Sequence, residues 1–397
     1  MDFLNDPLKV TADWLTSIFV GWGMSEVFAH VLVVFLGIFV LVMILMVIDI
    51  FLVWIERKVV ARFQDRIGPN RLGPFGLIQP FADIIKLMIK EDTTPDGADK
   101  VVYNLAPMLS MMSVLILWAV VPLAPVMLGV DLNMGLLFII AAGSIGTLSI
   151  IMAGWSSNNK FSVIGAFRQV AVMVSFEVPM LAVMLIPTIF AGSMGMNTIV
   201  QSQDIWFFWL SPLAALIFLI AAIAELGRAP FDLAEGESEL VSGYNIEYSG
   251  MKFGMFYAGE LLHAFTFGGF LAIMFFGGYR FFGLEKISPF LAIAVLVFKS
   301  FIGYWIIIWV KYTLLRIRID HMLAFNWKFL TPLAFTLLMV TALMNALLSG
   351  ASSWLYVAGM FLSNVLVAWI ALEIVRAVSR KEREKVEGVK QVVEVGH

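Results

Sequence analysis

The chain contains no cysteine, which excludes disulfides, thiolate zinc sites and cysteine-ligated iron–sulfur clusters within it. Histidine is nearly as scarce. His30, His263, His321 and His397 fall in separate segments, whereas a membrane bis-histidine haem needs facing pairs at similar depth, so any electron carrier is expected in a partner. Charged residues make up only 14%, against about 25% in soluble proteins. The segment GPNRLGP at 68–74 has the glycines of a phosphate loop but not its Gly-Lys-Ser/Thr ending, so the chain is not read as an ATPase. Asp2 and Asp6 stand where a secretory signal would carry cations, and the first true span is therefore expected to direct insertion.

What fills the chain instead is apolar sequence, 61% of the residues. Val31 to Ile48 gives eighteen consecutive uncharged, mostly aliphatic residues, enough helical rise to cross most of a ~30 Å hydrocarbon core. Similar runs recur near 27–53, 103–128, 134–154, 170–192, 205–226, 254–278, 288–314, 331–349 and 354–376. The expected fold is all-α: a polytopic transmembrane helix bundle of about nine spans. Residues 1–26 form an extracytoplasmic segment in this reading, and 27–376 a transmembrane domain with cytoplasmic loops at 56–100 and 227–253. Residues 377–397, mixed in charge, form a cytoplasmic tail. With residue 1 outside, 22 of the 26 lysines and arginines fall on the inner side, as the positive-inside rule requires. Only Lys9, Arg280 and Lys286 lie outside, and Lys299 lies within a span.

Between the first two spans, PFGLIQPFADIIKLMIK predicts an amphipathic helix lying in the membrane interface. Gln79, Asp83, Lys86 and Lys90 recur at helical spacing, with Phe75, Ile78, Phe81, Ile85 and Met88 on the other side. The competing reading is a loop helix that only packs on its neighbours. No internal repeat of the inverted-topology kind is visible.

Ionisable groups at membrane depth are costly enough to be read as functional. The candidates are Glu177, Glu225, Glu260, His263 and Lys299, spread over four successive spans. Pro179 loosens the helix beside Glu177, and Glu260 and His263, three apart, share a face. That pair is read as a proton relay or a structural hydrogen bond rather than a metal site, since no second Glu-x-x-His completes one. Lys299 is a candidate counter-ion for one of the carboxylates, its facing left open by the sequence. In the loop after the fifth span, Glu225, Asp232, Glu235, Glu237, Glu239 and Glu247 share 28 residues with only two cations, Arg228 and Lys252. Phe231, Leu233 and Leu240 interleave the acids and predict a folded, partly buried loop in which the carboxylates cannot all ionise cheaply and titrate together. The alternative is a solvated acidic loop.

Three motifs carry a resemblance. They are ERKVVARFQDRIGPNRLGPFGLIQPFADIIKLMIKE at 56–91, GWSSNNKFSVIGAFRQVA at 154–171, and AELGRAPFDLAEGESELVSGYNIEYSG at 224–250. Through them the chain resembles the H-subunit family of respiratory complex I, the proton-pumping NADH:quinone oxidoreductase, over most of residues 27–350. The resemblance implies a membrane subunit without its own redox centre, in a prokaryotic cell (inner) membrane, forming the membrane end of a quinone cavity. Arg57, Arg62, Asp83, Lys86 and Phe253 would line or gate the quinone passage. Glu225, Arg228, Glu235, Glu237 and Glu239 would couple quinone chemistry to proton movement, and Glu177 and Glu260 would extend the carboxylate path inward. Quinone is the implied substrate. The iron–sulfur clusters and FMN are implied in partner subunits, and the partners are the hydrophilic quinone-site subunits and the small and antiporter-like membrane subunits.

The chain departs from the family pattern at Val172 and Phe176, where a glutamine and a tyrosine are usual, and at Lys311, Leu315 and His321. These changes are expected to remove polar partners from the carboxylates. Two other readings stand beside this one. One is the equivalent subunit of a ferredoxin- or F420-linked complex or an energy-converting hydrogenase, and the other a stand-alone ion-coupled transporter. The complete GPNR and ESELVSG motifs favour the quinone-linked branch, and the one-sided loop charge counts against the transporter. Nothing indicates a nucleic-acid partner.

Overall fold

The computed structural model describes residues 6–232, 237–348, 350 and 352–395, the side chains of 237, 238 and 381–395 excepted. The described residues are helical with no strand. Among the described residues eight helices are long and apolar enough to cross a membrane. They are α2 (Glu26–Phe63), α4 (Lys100–Leu117), α5 (Gly135–Ser156), α6 (Lys160–Ala191), α8 (Gly250–Phe275), α9 (Pro289–Thr313), α10 (Ile319–Leu347) and α11 (Ser353–Val395, apolar to about 380). The ninth expected span is the shorter α7 (Pro212–Glu225). The longer of the remaining helices are α1 (Pro7–Gly21) and α3 (Gln79–Ile89). α1 lies in the segment read as extracytoplasmic; Asp6 caps it by accepting from the Lys9 amide at 3.1 Å, and it packs on α2.

Several boundaries differ from the apolar runs, α2 continuing to Phe63 and α6 beginning at Lys160; at two others a proline stands at the break. The run at 103–128 ends as helix at Leu117, because Pro122 and Pro125 withhold the donors a continued helix needs. The run at 205–226 breaks before Pro212, which opens α7 after the separate turn Phe207–Leu210. Here Ser211 donates its hydroxyl to Asn364 Oδ1 at 2.9 Å, and Asn364 Nδ2 donates to the Leu210 carbonyl at 3.2 Å, tying α11 to the break. The span expected at 331–349 begins earlier, at Ile319, and passes through a π turn at Asn326–Leu330.

That π turn answers the proline in α6. Pro179 cannot donate to the Ser175 carbonyl, and Asn326 Nδ2 supplies the bond across the helix pair at 2.6 Å. α8 is the central helix: Leu261, Leu262, Ala264 and Phe265 are wholly buried, and it packs against α4, α9, α2 and α7. α9 approaches it where two glycines meet, for a Cβ on Gly303 would lie 2.6 Å from the Gly268 Cα. α3 packs on α2 and α8, while Phe81, Ile85, Met88 and Ile89 stay exposed on the chain, the disposition of a helix lying in an interface. α2, 38 residues long, spans about 57 Å by helical rise, so one end must leave the hydrocarbon. Its C-terminal turns, which carry Glu56 and Arg57, reach the elements that build the site.

Candidate functional site

Successive residues on a helix point about 100° apart, and at the end of α2 this sends Glu56 and Arg57 to different clusters. Arg57 faces outward to α3 and pairs with Asp83, which also has Lys86 Nζ at 3.9 Å. Glu56 turns inward and is buried. It accepts from Lys311 Nζ at 2.9 Å and from the Tyr312 hydroxyl at 2.7 Å, both from the last turn of α9.

Arg228 reaches the same place from the turn after α7. Gly227 allows that turn: its φ is +60°, a conformation other residues adopt only with strain, and a Cβ there would also have to displace the Gln169 amide. The Arg228 side chain is 1% exposed; its Nε donates to Glu260 Oε1 at 2.9 Å, and its Nη1 lies 3.9 Å from Glu56 Oε1. Burial alone pulls the guanidinium pKa down, but Glu56 and then Glu260 outweigh it and hold the pKa above the usual value. The turn is fixed from outside by the Ile317 amide, which donates to the Pro230 carbonyl at 3.0 Å, and by Phe231, which packs on Phe176 with ring centroids 5.1 Å apart.

Deeper in, Glu225 is buried at the end of α7 with Glu177 of α6 in electrostatic reach. Glu225, Glu260 and His263 line one cavity of about 60 Å³, together with Ser110, Gln169 and Tyr244. Its volume exceeds the ~10–15 Å³ that one water requires by this measure, and its walls carry polar groups. The structure therefore brings Arg228, Glu260, Glu225 and His263 together, with Glu177 adjacent.

Other expected residues fall elsewhere. Glu239 is an exposed carboxylate paired to Arg168 of α6, with Arg316 at 4.0 Å. Glu247 is a structural tie, accepting from Asn159 Nδ2 at 2.8 Å. Phe231 and Leu240 are buried as expected of a folded loop. Leu233 and Glu235 lie outside the described residues, as does the side chain of Glu237. Arg62 is exposed in the last turn of α2. Phe253 is exposed near the start of α8, beside Gly254, where Leu87 of α3 comes so close that a Cβ on Gly254 would lie 3.0 Å from its Cδ1.

Lys299, whose facing the sequence left open, turns to backbone carbonyls rather than to Glu177, Glu225 or Glu260. Its Nζ donates to the carbonyls of Phe276, Gly278 and Arg280 at 2.7, 2.9 and 2.7 Å, closing the turn after α8, where glycines 277 and 278 both have positive φ. The departures from the family pattern also read differently in three dimensions. Phe176 and Val172 are packed apolar residues, whereas Lys311 still sets a cation against Glu56.

Sequence reasoning missed the inward-facing Glu56, with Lys311 and Tyr312, and two groups deeper still. Asp49 and Tyr304 are buried, and Asp49 Oδ1 and the Tyr304 hydroxyl have no hydrogen-bond partner among the described residues. The signal for Asp49 was present: it ends the uncharged run and stands two helical turns before Glu56.

A sequence model of the NADH dehydrogenase family matches residues 36–342. The H subunit of NADH-quinone oxidoreductase from Dehalococcoides mccartyi (strain CBDB1) is 45% identical over 319 residues, covering 80% of this chain and 88% of that protein. The H subunit from Phocaeicola vulgatus is 39% identical over 337 residues, covering 82% and 94%. That from Geobacillus kaustophilus is 40% identical over 293 residues, covering 73% and 87%. A buried ion-pair network within a bundle of spanning helices, together with these similarities, defines a membrane subunit of a respiratory enzyme. The chain belongs to the family of NADH-quinone oxidoreductase H subunits.

Proposed function

We propose that this chain forms the membrane end of a quinone-binding cavity and couples quinone reduction to proton translocation through its buried carboxylates. The observation that carries this reading is Arg228, a buried cation shared between Glu56 and Glu260. One step outward along α2 is the Arg57–Asp83 pair, which with Lys86, Arg62 and Phe253 belongs to the side where α3 packs on α2 and α8. One step inward is the cavity that Glu260 shares with Glu225 and His263.

Quinone bound at the outer side gains charge and takes up protons on reduction. A charge change there alters the field on Arg57 and Asp83 and, through the adjacent Glu56, the balance Arg228 keeps between two carboxylates. Protonation of the inner acids follows that balance, and each unit by which a group's pKa moves corresponds to about 1.4 kcal/mol. Such coupling needs a cluster that interacts differently with the two redox states. Glu177 and Glu225 pass the change inward, toward the antiporter-like partners. Electrons come from a hydrophilic partner subunit. The lysine-rich and arginine-rich loops face the cytoplasm in this reading, with the N-terminus outside.

The test is Glu225→Gln in the assembled enzyme in native membranes, followed by inhibitor-sensitive NADH:quinone reduction and proton pumping. Pumping is expected to fail. Reduction and pumping both at the level of the unsubstituted enzyme would sink the proposal.

A further inference from the structure

The proposed coupling leaves one buried acid without a task. Asp49 lies in α2 seven residues before Glu56, so the two share a face and Asp49 is about 10 Å deeper along the helix. Its residue is 6% exposed, between the fully buried Leu45 and Leu52 on the same face. Arg228 and Glu56 are the charged groups acting on it among the described residues, and Tyr304 of α9 feels its charge. Tyr304 is itself acted on by Glu56, Arg228 and Tyr257 of α8. Within this neighbourhood Asp49 Oδ1, Glu56 Oε2, the Tyr304 hydroxyl and both terminal nitrogens of Arg228 lack hydrogen-bond partners among the described residues. Five of the eight such atoms among the described residues thus belong to one neighbourhood linking α2, α9 and the turn after α7, the others being Gln169 Oε1, Glu225 Oε2 and Asn245 Oδ1.

Charge counting decides the state of Asp49. Arg228 and Lys311 supply two buried or half-buried cations, and Glu56 and Glu260 supply two carboxylates within their reach. The cluster is balanced without Asp49. An ionised Asp49 would be a fifth, unpaired charge deep in a spanning helix, the costliest place for one. A neutral carboxylic acid there has an O–H to donate, and the Tyr304 hydroxyl and Glu56 Oε2 of the same neighbourhood are likewise without partners among the described residues.

We propose that Asp49 is a proton-holding site of this chain, which rests on the coupling reading above. The O–H bond of Asp49 breaks and the proton passes through water molecules and the Tyr304 hydroxyl to the Glu56 carboxylate, the unpartnered polar atoms between them being the places where such water would bond. Asp49 becomes the anion as Glu56 becomes neutral, so net charge is conserved and negative charge moves inward along α2. Arg228, freed of part of its hold on Glu56, is then the cation that meets it. The step extends the outer ion-pair network into the depth of the membrane along α2, separate from the cavity that holds Glu225.

The experiment compares Asp49→Asn, Asp49→Glu, Tyr304→Phe and Glu225→Gln in the assembled enzyme in native membranes. Each is measured for NADH:quinone reduction, for pumping, and for the carboxylic-acid carbonyl band in redox-induced infrared difference spectra. Asp49→Asn is expected to remove one redox-sensitive band and to lose pumping per quinone reduced. Asp49→Glu is expected to keep a band, displaced in frequency, and to restore pumping. Tyr304→Phe should slow the step without removing the band. If Asp49→Asn pumps normally with every band in place while Glu225→Gln fails, Asp49 is a buried structural acid and the proposal falls alone. If Glu225→Gln is also without effect, the coupling reading falls and takes Asp49 with it. Should Asp49→Asn fail to assemble, the Glu variant decides: an undisplaced spectrum overturns the assignment.

Discussion

Arg228 meets Glu260 inside the bundle, Nε to Oε1 at 2.9 Å, with almost none of the guanidinium in contact with solvent. An arginine so enclosed persists because two carboxylates face it; without it Glu56 keeps only Lys311 and Tyr312, and Glu260 loses its ion-pair partner. Replacing it by methionine leaves Glu56 and Glu260 facing each other across an apolar group. The expected destabilisation is about 3–5 kcal/mol, the cost of breaking a buried pair by removing one partner. Arg228→Lys should fall between the two, since a point charge cannot reach both acids as a planar fork does. Thermal denaturation of the assembled enzyme and the amount of this chain retained in it measure the order.

Asn326 should matter for stability well beyond its size. Its amide supplies the hydrogen bond that Pro179 withholds from the Ser175 carbonyl. Asn326→Leu leaves that carbonyl buried and unpaired, at an expected cost of about 1–3 kcal/mol. The loss should appear as faster amide exchange in α6 around Ser175. Unchanged exchange there would mean that the kink is closed by some other group.

Lys299→Met tests the assignment of that lysine to the turn after α8. Three carbonyls lose a charged donor at once, and a hydrogen bond to a charged group contributes about 1.5–3 kcal/mol. The variant should lower the denaturation temperature of the enzyme while the ratio of protons pumped to quinone reduced stays the same. A changed ratio would return Lys299 to the proton path.

Glu239 supplies a pH dependence. The hydrogen bond from Arg168, and then the charge of Arg316, hold its carboxyl below the usual carboxylate range. A pKa depressed in the folded state stabilises above the unfolded-state pKa, and the contribution is lost as pH falls through the lowered folded value. The short helix Glu237–Leu240, packed on α6, should therefore undock from α6 progressively on acidification. Added salt should weaken the same contact, because Glu239 is exposed. Glu239→Gln should remove both dependences, read as amide exchange of residues 237–240 against pH and ionic strength.

Much of the architecture was legible in the sequence because membrane spans are written in one dimension. A bilayer demands long uninterrupted apolar helices, and loops with one-sided positive charge, and both are local properties of the chain. The helical class, the number of apolar segments, the amphipathic stretch at 79–89 and the acid-rich turn at 225–252 followed directly. The exceptions were also local but subtler: Pro212 and the prolines at 122 and 125 cut apolar runs that hydropathy alone would continue.

Which charges belong together was decided only by the tertiary structure. Glu56 and Arg57 are neighbours in sequence and part ways in space, one to Lys311 and Arg228, the other to Asp83. Glu225 and Glu239 belong to one acidic segment, yet one is buried beside Glu177 and the other exposed against Arg168. Lys299 looks in sequence like a counter-ion and serves backbone carbonyls instead. Facing is set by how α2, α6, α8 and α9 rotate against one another, which depends on packing at places such as Gly268 and Gly303 away from the charges themselves. A single sequence states that an ionisable group is in the membrane; only the packed helices state what it meets there.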